Sequence, residues 1–156
     1  VAENAKRPTE AFREEHRDHL VHVESIRVAA SEVTELGVEE RNALVGRILE
    51  YLRKTLVPHA EWEEHVLYTA VGELLGDPRA TETMARDHVA IARMIEALAE
   101  ADPGDVARLQ ELLYGLHALI KVHFEKEEEI YLPLLDARPE VAERVVKQIG
   151  AHQRTH

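Results

Sequence analysis

Apolar residues return at three- and four-residue intervals along almost the whole chain, and no alternating or β-branched run sits between turn signals. That periodicity predicts an all-α fold. Helix A starts at the N-cap Thr9 and carries Phe12, Leu20, Val23, Ile26, Ala30 and Val33 on one face before Gly37. Helix B spans about Glu39 to Leu75 and contains Pro58, which removes one backbone donor and predicts a kink or break beside His59. Gly76-Asp77-Pro78 reads as a stop followed by a start, with Gly past the end, Asp as N-cap and Pro at the first helical position. Helix C then runs to about Glu100. Asp102-Pro103-Gly104-Asp105 repeats the punctuation, and helix D continues to about Asp136. Short connections make neighbours antiparallel, so the expected architecture is an up-down-up-down four-helix bundle over about 9–136 with a short C-terminal fifth helix over about 139–150. A chain of 156 residues buries roughly two thirds of its unfolded surface, enough for one domain across 1–156.

Within this pattern one phrase occurs twice. His59-Ala-Glu-Trp-Glu63-Glu64 in helix B is echoed sixty-four residues later by His123-Phe-Glu-Lys-Glu127-Glu128 in helix D. Residues four apart share a helix face, so each phrase presents an imidazole and a carboxylate to one point. At about 100° per residue, His59 and Glu63 fall on the stripe of Val45, Ile48, Leu52, Leu56, Val66 and Ala70. His123 and Glu127 fall on that of Leu109, Leu112, Leu116, Leu119, Ile130 and Leu134. Helix C adds His88 among Met84, Ile91, Ala92 and Ile95, and helix A adds His16, His19 and His22. Two carboxylates buried in an apolar core cost several kcal/mol each unless a cation or proton compensates them. A metal does so.

The chain has no cysteine, so any metal sits on nitrogen and oxygen donors; this suits iron or manganese, and also zinc. Two carboxylates able to bridge, with at least four histidines, point to two ions. The Glu-x-x-His pairs of ferritin-like di-metal bundles do not occur. A net charge of −11 disfavours nucleic acid and anionic membranes as partners. No run approaches the twenty apolar residues of a membrane span, and the polar start lacks a secretory apolar segment, so a cytoplasmic protein is expected.

Together the phrases Glu15-His16-Arg17, His59-x-x-x-Glu63-Glu64, Asp87-His88 and Leu113-Tyr114-Gly115-Leu116-His117-Ala118-Leu119, leading to His123-x-x-x-Glu127-Glu128, resemble the hemerythrin-like, His-His-Glu cation-binding family from about Glu15 to Asp136. The resemblance implies an oxo- or hydroxo-bridged centre of two iron ions that meets oxygen, peroxide or nitric oxide. Two departures argue against reversible oxygen carriage. Oxygen carriers have a second histidine one turn after the first on helix C, where this chain has Ala92, and their helix D pair is His-x-x-x-x-Asp. His22 and His117 are the candidates to fill the gap. On helix A, projection alone prefers His16 and His19, whereas the resemblance favours His16 and a histidine at the His22 position. The reading adopted is His16, His22, His59, Glu63, His88, His117, His123 and Glu127.

The remaining polar residues have simpler readings. Glu64, Glu125, Glu128 and Glu129 read as a solvated acidic face, and His65, His152 and His156 as surface residues. Tyr68 and Tyr131 read as packing residues, and Trp62 as an interhelical filler. The function expected is a non-haem di-iron protein that binds or reacts with a small oxidant in redox or stress defence, with a peroxide- or nitric-oxide-consuming oxidoreductase as the enzymatic form. The alternative is an iron- or oxygen-responsive sensor or storage module without catalysis.

Overall fold

The computed structural model describes residues 6–155; residues 1–5 and His156 fall outside it. Five helical rods succeed one another among the described residues, and no strand occurs there. The first is α1 (Glu10–Glu32). The second, residues 38–75, is built from α2 (Val38–Tyr51), α3 (Val57–Trp62) and α4 (Tyr68–Leu75), joined by single π turns at Leu52–Leu56 and Glu63–Leu67. The third is α5 (Glu82–Glu100). The fourth, residues 106–136, joins α6 (Val106–Lys126) to α7 (Leu132–Asp136) through a π turn at Glu127–Tyr131. The last is α8 (Pro139–Thr155), longer than the expected 139–150.

Pro58 produces a widened turn where a kink or break was expected. The amide of Val57 bonds back five residues to Leu52, and the proline comes next as the second residue of α3. A π turn already displaces one carbonyl from the regular ladder, so the missing proline donor falls where the ladder is interrupted. Pro133 sits in the same place after the Glu127–Tyr131 turn, as the second residue of α7.

Each π turn holds more residues than an α turn and rotates everything after it. Val66 and Ile130, expected on the inward stripes, are therefore displaced: Val66 is half-buried and Ile130 is 56% exposed. Leu67, Val71, Tyr131 and Leu135 take the interior positions. Helix C also begins later than expected. Asp77 does not cap it; its side chain accepts the Arg79 amide at 2.9 Å, the turn folds back over Gly72, and α5 starts at Glu82 after Thr81. Gly76 does end α4, at φ 70° where a side chain would be strained.

α6 packs along α1 on one side and α5 on the other, and α2 packs on α5. The interior divides into two apolar clusters. One gathers Val23, Ile26, Leu52, Ile95, Leu113 and Leu116, among others. The second holds Phe12, Trp62, Leu67, Tyr131 and Leu135 beneath Val141, Val145 and Ile149 of α8. Thr9 stands at the N-cap position of α1 without bonding its own helix. Its hydroxyl and amide both donate to Asp136 Oδ1, at 2.8 and 3.0 Å, while the Arg13 guanidinium holds Oδ2 at 3.0 Å. The start of the first rod is thus clasped to the end of the fourth.

Candidate metal centre

Glu63 and Glu127 open the two π turns that succeed α3 and α6, and both are fully buried at 0% exposure. Imidazoles from four rods meet them. His59 Nε2 lies 2.6 Å and His16 Nε2 3.5 Å from Glu63 Oε1, while His88 Nε2 lies 3.1 Å from Glu63 Oε2. His123 Nε2 contacts Glu127 Oε1 and lies 3.8 Å from Glu63 Oε2; Glu127 Oε2 is 3.5 Å from His16 Nε2. The repeated phrase explains the geometry, since each histidine stands one turn before its glutamate on the same face.

The four histidines also share an orientation. Each turns Nε2 inward and gives Nδ1 to an outer carboxylate: His16 to Glu128 at 3.2 Å, His59 to Glu15 at 3.2 Å, His88 to Glu64 at 2.8 Å and His123 to Asp87 at 2.9 Å. Lys126 holds Asp87 from behind. A carboxylate on the far nitrogen fixes the ring and raises its basicity, an arrangement typical of metal-bound imidazole. Glu64 and Glu128 are therefore partners of the centre and not merely a solvated face. Glu125 and Glu129 are exposed. Asp87 and Glu15 stand next to histidines in the sequence, yet each serves a ring on a different helix, which no single-helix pattern reveals.

Tyr68 does more than pack. Its hydroxyl donates to Glu127 Oε1 at 3.0 Å and lies 3.1 Å from His123 Nε2, because the π turn stacks residue 68 over Glu63. Tyr131 packs edge-on against Tyr68, and its hydroxyl reaches the Ala80 carbonyl. Trp62 fills the space between Phe12 and His152, which is half-buried and not a surface residue. His65 is exposed, as expected.

Two of the sequence candidates stand apart. His22 is exposed and stacks on Tyr51 at 4.3 Å, and His117 pairs with Glu24 at 3.3 Å; neither belongs to a donor group. His19, set aside on the strength of the resemblance, is buried and its ring lies 4.5 Å from that of His59. Helical projection was the better guide here. Burial, helped by the neighbouring charge of His59, pushes the His19 imidazole down to about 3. It is therefore neutral, and Nδ1 accepts the Tyr51 hydroxyl at 2.7 Å.

Electrostatically the centre demands positive charge. Burial works against protonating His59, but the carboxylates of Glu63 and Glu15 outweigh it and raise the ring to about 9. Burial likewise opposes His123, and Glu127 and Glu63 raise it to about 10. His16 is raised against its burial by Glu127, Glu128 and Glu63. Glu63 is held well below the usual carboxylate range, burial being overcome by His59, His123 and His16. Protons on imidazole can supply the missing charge, but they leave His16 Nε2, His59 Nε2, both Glu63 oxygens and Glu127 Oε2 buried without a hydrogen-bond partner. A cation satisfies all of these convergent atoms at once, and its entry displaces protons.

The donors fall into groups able to hold one ion each: Glu63, His88, His123 and Glu127 form one, and His16, His59 and Glu63 another. A further group is Glu15, His19 and His59. Oxygen and nitrogen donors without sulfur fit iron, manganese or zinc. No helix among the described residues is long and apolar enough to cross a membrane. Comparison with known proteins found no match among curated proteins and none among solved structures. A family model does match, the hemerythrin HHE cation-binding domain, over residues 7–155. With nearly the whole chain matched and the His and Glu donors of four helices converging in its core, this protein belongs to the hemerythrin HHE cation-binding family.

Proposed function

We propose that the chain holds two iron ions and uses them to bind or react with a small oxidant, as a redox or stress-defence protein of the cytoplasm. The observation that carries this reading is the sharing of Glu63. Its Oε1 faces His59 and His16 while its Oε2 faces His88 and His123, so one carboxylate serves two donor groups. Glu127 is divided in the same way between His123 and His16. His16, His59, His88 and His123 with the two glutamates are the proposed ligand set, with His19 the nearest further histidine. His22 and His117 drop out of it.

Bound iron would supply electron transfer to oxygen, peroxide or nitric oxide. The protein's own contribution is orientation and exclusion of water. Outer carboxylates fix four rings, the Tyr68 hydroxyl fixes Glu127, and the two apolar clusters close the centre from either end. Ala92, on the exposed side of α5, offers no ligand atom where oxygen carriers place a histidine. That supports a reactive role over reversible carriage.

Elemental analysis and an optical spectrum of freshly purified protein test the reading. Two irons per chain with near-ultraviolet bands are expected, and Glu63→Ala or Glu127→Ala should remove both. Zinc alone, no metal, or an iron spectrum that survives both substitutions would refute it.

A further inference from the structure

Beside the Glu63 carboxylate the structure contains a cavity of about 210 Å³ between α3 and α5, floored by α6. Its walls include Leu56, Ile91, Ile120 and Phe124, all buried. At its polar end stand Glu63, His59, His88 and His123, and both Glu63 oxygens and His59 Nε2 lack hydrogen-bond partners. The cavity reaches solvent where exposed Glu61, Val89 and Ala92 line it.

Its size exceeds the need of a diatomic molecule or hydrogen peroxide. An apolar cavity of about 150 Å³ is enough to take up benzene. The lining favours an apolar body, and the unpartnered acceptors at one end favour a donor on that body. Anions are disfavoured, since Glu63 lies at the end and Glu61 and Glu64 line the way in. Ala92 keeps the space open: it stands one turn after His88 on the same helix and lines the same cavity, so a large side chain there would fill it.

We propose that this cavity is a binding site for a small neutral organic molecule carrying an O–H head on an apolar body, the chemistry shared by short alcohols and organic hydroperoxides. The head lies toward Glu63, His88 and His123, and the body lies among Leu56, Ile91, Ile120 and Phe124. Ala92 and Ala60 set the length and width admitted. The link between this ligand and redox chemistry rests on the di-iron reading; the binding itself does not.

The experiment uses the metal-free full chain and tracks histidine and methyl resonances by nuclear magnetic resonance during titration with benzyl alcohol, and separately with benzoate. Benzyl alcohol is expected to give one saturable site with shifts at His88, His123, Ile91 and Ile120, and benzoate none. Ala92→Phe, at an exposed position that leaves the core intact, should weaken benzyl alcohol at least tenfold, and Ala60→Phe on the opposite wall should act in the same direction. Thermal melting of both variants reports that they fold. Absence of a saturable shift, equal affinity for benzoate, or full affinity in both folded variants overturns the proposal. Iron content of the wild type is measured separately. A chain that binds benzyl alcohol but takes up no iron loses the di-iron reading and keeps the cavity.

Discussion

The four outer carboxylates differ in how far solvent reaches them, and this ranks what each contributes to the ring it holds. Side-chain exposure is 14% for Glu15, 18% for Asp87, 32% for Glu128 and 41% for Glu64. A charge on imidazole Nδ1 acts through a medium whose effective dielectric rises with exposure, so the two enclosed carboxylates should matter most. Removing a partner of this kind costs about 10- to 100-fold in metal affinity, or about 1.4–2.8 kcal/mol at 1.4 kcal/mol per decade. Asp87→Ala should lie toward the upper end, because it frees the His123 ring and also leaves Lys126 without its partner. Asp87→Asn retains an acceptor oxygen and loses only charge, so it should lose about tenfold or less. Glu64→Gln should fall within about threefold of wild type, water replacing much of what it does. Competition titration against a coloured iron chelator reads all of these on one scale. If Glu64→Gln weakens iron as much as Asp87→Ala, or if Asp87→Ala has no effect, the claim that these carboxylates act through the rings is wrong.

Metal removal should be visible in stability, since a ligand present at about 100 times its Kd adds about 2.7 kcal/mol. At roughly 2–4 °C per kcal/mol for a chain of this size, chelation should lower Tm by about 5–10 °C, and an unchanged melt would count against a bound ion. The Asp136 clasp gives a pH test. Burial opposes ionisation, but the Thr9 hydroxyl and amide and the Arg13 guanidinium outweigh it and lower the carboxyl below its usual value. Its stabilising contribution is therefore present above about pH 4 and is lost as pH falls through the lowered value. Asp136→Asn should cost about 1–3 kcal/mol at pH 6, and the gap to wild type should close near pH 2.5 in denaturant titrations. Two glycines should respond differently to alanine. Gly76→Ala forces a side chain to φ 70° and should cost about 1–2 kcal/mol. Gly115→Ala gains up to about 1 kcal/mol of helix propensity and displaces only the flexible tip of Met94, so its melt should stay nearer wild type.

Much of the bundle was legible because periodicity and punctuation are local. Gly37, Gly76 and Asp102 to Asp105 mark rod ends, and the His-x-x-x-Glu phrases face inward because a single α turn separates their members. The widened turn that begins at each glutamate was not legible. A π turn carries no composition signature of its own, so Val66 and Ile130 were placed on the inward stripes and Tyr68 was missed as a partner of Glu127. The outer carboxylates were hidden for another reason. Glu128 serves a ring on α1, Glu15 a ring on α3 and Asp87 a ring on α6, and such pairings exist only after the helices pack. On α1 the two lines of sequence reasoning disagreed, and helical projection, which preferred His19 to His22, matches the observed burial.

The π turns at Glu63 and Glu127 act as dislocations in the helical lattice. Residues before each glutamate and residues after it obey separate phases, and the donor cluster occupies the seam between them. The two apolar clusters are thereby written in different registers of the same rods. Deleting one residue from 128–130 would heal the seam in the fourth rod, leaving His123 and Glu127 where they are while rotating every later residue by about 100°. The side chains that now meet α8 would turn away from it. The protein thus holds a one-residue frame whose loss leaves the ligand phrase readable and disorders the shell around it.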